Sequence, residues 1–244
     1  GHMLSGRAMR PIKAAYEKQR QFAADASHEL RTPLAVVMAS AELLQNDKSI
    51  ESPFLKQVIE DVHDEVKKMT KLVGDLLTVA RSDNRALKLN VSNFDLAGII
   101  EQTARIIQPL AEKKQIEVSC AKMKTTKIQA DEQKIRQLVL IFVDNAVKYT
   151  PEGGKVTVSL APAERGKVCF VVSDTGIGIS KEDQALIFDR FFRVDKARSR
   201  EMGGNGLGLA IAREIINLHK GQIRIESELG KGTTFFVTLR SKVR

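Results

Sequence analysis

A chain of 244 residues, 43% of them apolar, with no tryptophan and a net charge of +9, is long enough for two modest domains with aliphatic cores. It contains no run of about 18 apolar residues, so no membrane-spanning helix is expected, and no signal peptide is visible. Cys120 and Cys169 form no spaced pair and the four histidines lack metal-ligand spacing, so neither a disulfide framework nor a cysteine–histidine metal site is expected. Such cysteine usage fits a reducing compartment. Basic and acidic residues are interleaved and no aromatic-laced basic patch exists, so no nucleic-acid partner is expected. The basic cluster Arg7, Arg10, Lys13, Lys18 and Arg20 suits a juxtamembrane position or an ordinary solvated helix face.

The opening "GHM" reads as a tag remnant, and residues 1–20 as that remnant plus an incoming helix. Residues 10–46 read as one long helix. Phe22, Ala26, Leu30, Leu34, Val37, Ala41 and Leu44 recur at spacings of three and four, the period of one apolar stripe. His28 falls roughly 160° from that stripe, on the outward side. Thr32 lies one turn further on the same face. Pro33 removes one backbone donor and should bend the helix just past this point. An outward histidine is also what a plain solvated surface residue looks like, so position alone leaves its role open.

"NDKSIESP", Asn46 to Pro53, is a polar break and reads as a turn. In the helix that follows, Leu55, Ile59, Val62, Val66, Met69, Val73, Leu76 and Ala80 alternate spacings of four and three without a slip. The two helices form an antiparallel hairpin over residues 21–86. A lone hairpin buries two such stripes poorly, so a homodimeric four-helix bundle is the natural solution, with packing on a second domain as the alternative. "RSDNRALKLNVSNFD", Arg81 to Asp95, reads as the linker into a second domain over residues 87–244.

In that second domain, "LAGIIEQTARIIQPLAEKK" reads as a helix, and "IEVSC" and "KIQA" as short strands. "DEQKIRQLVLIFVDNAVKY" is a second helix. "KVTVSLA" and "KVCFVVSD" alternate as strands, the latter holding Cys169 as a buried thiol. "GLGLAIAREIINLHKG" is a helix closed by Gly221, and "QIRIESE" and "GTTFFVTLR" are the last strands. Helices with a mainly antiparallel sheet make an α/β sandwich. The fold class expected for the chain is therefore α+β.

Four stretches carry candidate chemistry. "SDTGIGIS", Ser173 to Ser180, sets an acid at a strand end before two glycines that let backbone approach a ligand. A buried carboxylate there can accept from an exocyclic amine such as adenine's, although a capping Asp in a plain loop has the same pattern. "GGNGLGLAIA", Gly203 to Ala212, opens a helix from a glycine-rich loop, a natural phosphate cradle that matches neither Walker nor Rossmann spacing. "VDNAVKYTPEGG" sets Asn145 and Lys148 about one turn apart, a hard-ion ligand beside a phosphate partner. "IFDRFFRVDKARSR" sets Phe188, Phe191 and Phe192 near Arg193, Lys196, Arg198 and Arg200, as a mobile nucleotide lid would.

In this order and spacing, these stretches resemble a sensor histidine kinase of two-component signalling. "FAADASHELRTPL" resembles the family's histidine box and "DNAVKYTPEGG" its asparagine box. "DTGIGI" and "GGNGLGLAI" are similar to its glycine boxes, "IFDRFFRVDKARS" to its phenylalanine box, and "GKGTTF" to its late glycine–threonine turn. The match covers roughly residues 20–240. The resemblance implies a dimerisation and histidine-phosphotransfer hairpin followed by a Bergerat-type ATP-binding domain, using ATP and Mg²⁺. Its partners would be a second copy of the chain and a response-regulator receiver domain. The chain would be a cytoplasmic fragment of a bacterial membrane-bound sensor, touching membrane only through a region missing from this fragment.

By the same resemblance, His28 is the phosphoacceptor, Glu29 its orienting or general-base partner, and Thr32 supports water attack when the regulator is dephosphorylated. Asn145 holds Mg²⁺, Lys148 and Arg193 face the phosphates, and Asp174 reads the adenine amine. Gly176, Gly178, Gly204, Gly206 and Gly208 make room for nucleotide and lid; Tyr149, Leu207 and Thr233 complete the nucleotide site. One departure stands out. Where the family commonly has a second Asn, four residues before Asn145, this chain has Ile141, which cannot bind Mg²⁺. Three other readings remain: a scaffold or phosphatase-biased regulator with little autokinase activity, a different Bergerat ATPase, which leaves "SHELRTP" unexplained, and a DNA-binding module, which no recognition motif supports.

Overall fold

The computed structural model describes residues 30, 34–46, 50, 52–82, 89–194 and 206–242. The chain divides into two compact units, Gly1–Leu87 and Lys88–Arg244. His28, Glu29, Thr32 and Gly204 lie outside the described residues.

In the first unit, residues 34–45 form helix α1 and Pro53–Ser82 form helix α2. The Ser52 hydroxyl accepts the Leu55 N–H at 3.4 Å and starts α2. Leu34, Val66 and Val73 are buried together, with Met38 packed against them, and Ala41 is buried too. His63 is also buried, its ring nitrogens 3.9 Å from Glu42 and 3.7 Å from Asp64. The apolar band of α2 is wider than this contact. Val62 and Met69 sit roughly 40–60° around the helix from Val66, and both are exposed, as are Leu55 and Val58. The expected seam therefore splits: Val66 and Val73 serve the hairpin, while Leu55, Val62 and Met69 face outward.

The second unit runs β1 (Val91–Asp95), α3 (Leu96–Lys113), β2 (Glu117–Cys120), β3 (Lys127–Asp131) and α4 (Glu132–Tyr149). It continues through β4 (Lys155–Ala161), β5 (Lys167–Asp174), α5 (Lys181–Gln184), α6 (Gly208–Leu218), β6 (Gln222–Glu228) and β7 (Gly232–Arg240). Five strands form one sheet in the order β2-β4-β5-β7-β6, antiparallel except for the parallel β2–β4 pair. Alternate residues of the strands, such as Val156 and Val158 on β4 or Phe235, Val237 and Leu239 on β7, are buried. Helices α3, α4 and α6 pack side by side against the sheet. Phe142 of α4 anchors that contact, 4.9 Å from the Phe235 ring and 6.1 Å from Phe170.

One element departs from expectation. The stretch read as linker up to Asp95 ends in strand β1, which pairs antiparallel with β3 as a separate two-stranded sheet. Its acid end is a structural knot. Asp95 caps α3 through the Ala97 N–H and also accepts the Thr126 N–H at 2.7 Å. Asp131 does the same at the other end of the ribbon: it caps α4 through the Lys134 N–H at 3.1 Å and takes the Asn90 N–H at 3.0 Å.

Buried His219, at the C-terminus of α6, closes the same corner. Its Nδ1 donates to the Ile215 carbonyl at 2.8 Å, and its Nε2 accepts the Asp131 N–H at 3.2 Å. The ring is therefore neutral, and burial pushes its pKa down.

Candidate functional site

The site is built where the last turns of α4 meet the end of β5. Two devices close the C-terminus of α4. The Thr150 hydroxyl donates to the Ala146 carbonyl at 2.6 Å. The Lys114 ammonium, arriving from the turn after α3, donates to the Val147 and Lys148 carbonyls at 3.0 and 2.9 Å. Burial lowers the Lys114 pKa. Helix α4 thereby holds Asn145 and Tyr149, one turn apart, toward an open cleft.

Asp174 ends β5 inside that cleft. Its Oδ1 accepts the Gly176 N–H at 2.8 Å and the Thr233 N–H at 3.1 Å. Oδ2 accepts no hydrogen bond from the described residues, so it is the acceptor left for a ligand. Burial pushes the carboxyl pKa up, and the two backbone donors pull it partly back.

The glycines after Asp174 serve close packing of backbone. A Cβ at Gly176 would meet Asp174 Oδ1 and the Tyr149 carbonyl, each at 2.6 Å. Gly178, at φ +69°, lies against the Glu228 carbonyl; a side chain there has no room. Much of the space made by Gly176 and Gly178 is thus occupied by the protein's own chain, although Gly178 also lines the cleft. The loop is pinned further by Ile177, whose N–H donates to Tyr149 and whose carbonyl accepts from Gly230.

The opposite wall comes from Ile187, Phe192, Arg193, Val194 and Leu209. The Phe191 N–H donates to the Gly206 carbonyl at 2.9 Å, tying the phenylalanine-rich segment to the start of α6. Arg193 has two buried nitrogens, Nε and Nη2, without a hydrogen-bond partner in a wall of this cleft. Buried guanidinium donors require an acceptor, and a phosphate supplies one with matching geometry.

Asn145, Tyr149, Asp174, Gly178, Arg193 and Thr233 thus line one cleft. Lys148, Gly176, Gly206, Leu207 and Gly208 stand outside the lining. Lys148 has its ammonium 6.0 Å from the Tyr149 ring centre. The Leu207 side chain is fully buried. Gly208 faces Ile141, whose Cγ2 would be 3.6 Å from a Cβ placed there. Sequence reasoning missed Lys114, Ser227 and Gln184. For Ser227 a signal was present: it is the one polar residue at the inward positions of β6, after Ile223 and Ile225.

Among the described residues no group of three or more His, Cys, Asp or Glu could hold a metal ion. Asn145 offers the cleft a side-chain carbonyl, an oxygen ligand of the kind Mg²⁺ accepts. The residues fit a cation carried mainly by a nucleotide's phosphates, with Asn145 as the protein's contribution.

Two family models match the chain. Residues 18–85 match the His Kinase A phospho-acceptor domain, and residues 130–243 match the histidine kinase-, DNA gyrase B- and HSP90-like ATPase. The signal transduction histidine-protein kinase ArlS of Staphylococcus aureus (strain USA300) is 38% identical over 227 residues, 93% of this chain and 50% of ArlS. The chain belongs to the sensor histidine kinases. It spans about half the length of the curated relatives it matches. Full-length ShkA, solved in complex with AMPPNP, superposes with a TM-score of 0.77 at 34% identity, over 90% of this chain and 45% of that one. The mycobacterial sensor histidine kinase MprB superposes at 0.53 with 27% identity, over 63% of this chain and 99% of its own. In this histidine kinase, "SHELRTP" falls inside the phospho-acceptor match, and the Asp174 cleft falls inside the ATPase match.

Proposed function

We propose that the chain binds ATP in the Asp174 cleft, phosphorylates itself on His28, and passes the phosphoryl group to an aspartate on a response-regulator receiver domain. The observation that carries the nucleotide half is Asp174 itself. Its Oδ1 is fixed by Gly176 and Thr233 while Oδ2 is open to an exocyclic amine. The phospho-acceptor match around His28 and the likeness to ArlS support the transfer half.

The step follows from the side chains. One ring nitrogen of neutral His28 attacks the γ-phosphorus; the N–P bond forms as the bond to ADP's oxygen breaks. Glu29 accepts the other ring N–H and stabilises the positive charge that develops on the imidazole. Arg193 offers its unpartnered donors to the phosphates, and Lys148 adds charge one turn from Asn145. When bound, Mg²⁺ offsets phosphate charge, with Asn145 as its ligand from α4. Thr32, four residues on from His28 in the chain, positions the water that dephosphorylates the regulator.

The protein acts as a dimer, because Leu55, Val58, Val62 and Met69 remain exposed on α2 after the hairpin has closed. Among the described residues no helix is long and apolar enough to cross a membrane. A place in the cytoplasmic part of a membrane-bound sensor is part of the same proposal, supported by the likeness to the signal transduction kinase ArlS.

The test is incubation with γ-labelled ATP and Mg²⁺, wild type beside His28→Gln. Acid-labile, base-stable label on the wild type and none on the mutant is the expected outcome. Label that persists on His28→Gln would overturn the assignment.

A further inference from the structure

Among the described residues, three other than glycine have a left-handed backbone: Gln115, Phe191 and Lys220. Gln115 and Lys220 each follow a helix C-cap, where such a residue closes the last turn. Phe191 ends no helix. Its φ of +62° falls at the third residue of a four-residue turn, closed by the Phe192 N–H donating to the Asp189 carbonyl at 3.3 Å. Glycine or asparagine is the usual occupant of a turn position with positive φ. The Phe191 ring is 57% exposed, so core packing does not hold the residue in this conformation.

The contact with Gly206 does. The Phe191 N–H donates to the Gly206 carbonyl, and a Cβ at Gly206 would lie 2.9 Å from both the Cα and the carbonyl carbon of Phe191. Gly206 is itself left-handed, at φ +70°, so two reversed stretches of backbone fit against one another with no room for a side chain between them. Phe191 does not line the cleft, but the next three residues, Phe192, Arg193 and Val194, all do. Arg193 depends most on that aim, because its Nε and Nη2 are buried without a partner. Backbone strain of this kind persists only where the surrounding structure fixes it, and it gathers at ligand clamps.

We propose that Phe191 is a positioning residue whose backbone, held left-handed by Gly206, aims the Arg193 guanidinium at the phosphates of the bound nucleotide. Its contribution is the turn of the chain and not the ring. The inference rests on the nucleotide reading above, with Arg193 as the phosphate partner.

The test uses the whole chain, titrated calorimetrically with a non-hydrolysable ATP analogue and with adenosine, which has no phosphate, alongside thermal melts. Phe191→Val puts a β-branched residue where φ is positive and should weaken the analogue about ten-fold while leaving adenosine unchanged. Phe191→Gly and Phe191→Asn accept the left-handed backbone and should bind the analogue as the wild type does. Arg193→Met should also weaken the analogue about ten-fold, and adding Phe191→Val to it should cost nothing more, because the two changes remove one interaction. Should Phe191→Val fail to fold, Gly206→Ala, whose Cβ meets the Phe191 backbone, is read in the same way. If Phe191→Gly binds the analogue as weakly as Phe191→Val, the ring is what matters and the proposal is overturned. Equal losses for the analogue and adenosine show a structural role only and overturn it as well. So do additive losses in the double variant, since Phe191 then acts apart from Arg193. A wild type that binds neither ligand would instead remove the nucleotide reading, and wild-type affinity in Arg193→Met would remove the phosphate partner; the inference falls with either.

Discussion

The Asp174 carboxylate accepts the backbone N–H of Thr233 at 3.1 Å, across a β5–β7 pairing that joins residues far apart in the chain. That bond leaves one oxygen committed and one open, which is how a carboxylate becomes a directional reader rather than a diffuse charge. Asp174→Asn tests it almost isosterically. Its Oδ1 can still take the Thr233 and Gly176 donors, but an amide nitrogen then faces the ligand's amine. Affinity for ATP should fall about ten-fold or more, since a buried unmet donor costs about 1–3 kcal/mol. Isothermal titration that returns wild-type affinity would remove Asp174 from the site.

The same residue carries a stability signature. Burial raises the folded-state pKa of Asp174 above its unfolded value, so between those two values the native state holds more protons than the unfolded one. Its charge therefore opposes folding at neutral pH, and that opposition fades as pH falls toward the usual carboxylate range. The apo Asp174→Asn protein should be at least as stable as wild type at pH 7, with the gap closing at acid pH. Thermal melts across pH 4 to 7 measure it, and a marked loss of stability at pH 7 would contradict the argument.

His219 predicts the opposite slope. Its folded-state pKa is lowered, chiefly by burial, with Lys134 adding to the effect and Asp131 and the Ile215 carbonyl opposing it. Nε2 must stay unprotonated to accept the Asp131 N–H. As pH drops below about 6.5 the unfolded chain takes up a proton that the native state refuses, and stability is lost at up to about 1.4 kcal/mol per pH unit. Denaturant midpoints for the second unit should fall as pH drops below about 6.5, and His219→Gln should flatten that dependence while lowering stability at pH 7. Parallel curves for the two proteins would show that another group controls the slope.

How much of this was legible beforehand depends on the range of the interaction. Strands β4 and β6 are readable because Val156 and Val158, or Ile223 and Ile225, alternate with polar residues, and β5 because Val168 to Val172 is a short continuous apolar run. Helix α4 announces its own start through Asp131. Strand β1 was not readable: five residues with Val91 and Phe94 as their apolar members carry little period, and the partner β3 lies beyond a whole helix. The cleft-lining Asp174 and Asn145 stand in local motifs. Lys114 does not, because its partner Val147 lies 33 residues away and no local pattern records such a contact; β6 marks Ser227 as an inward polar residue, but not its bond to Ile179, 48 residues away.

Lys114 gives a test of that long-range support. Lys114→Met keeps the aliphatic stem but removes the donors to Val147 and Lys148. The end of α4 would then lose its cap just beside Tyr149. Because Lys114 is only half-buried, water can take over part of the role, so the stability cost should be small, about 1 kcal/mol. ATP affinity should drop a few-fold through Asn145 and Tyr149, which share the loosened turn. Chemical denaturation and titration on the same preparation check both; a loss of stability without any change in affinity would confine Lys114 to the fold.

The hairpin makes the sharpest separation between two neighbouring residues. Val66 is buried between α1 and α2, whereas Met69, one turn on, is 44% exposed. Val62, one turn earlier, is 43% exposed on the same outward edge. An Asp at position 66 breaks the hairpin itself and reports on folding. Aspartates at positions 62 and 69 sit in water in a monomer but in a buried apolar seam in a dimer, where an unpaired charge is strongly disfavoured. Val62→Asp with Met69→Asp should therefore leave helix content intact by circular dichroism and convert the dimer to monomer by light scattering at tens of micromolar. Val66→Asp should reduce helix content and assembly together. An unmutated chain that is already monomeric at that concentration would leave the outward stripe without a second copy to cover it, and the four-helix bundle would be wrong.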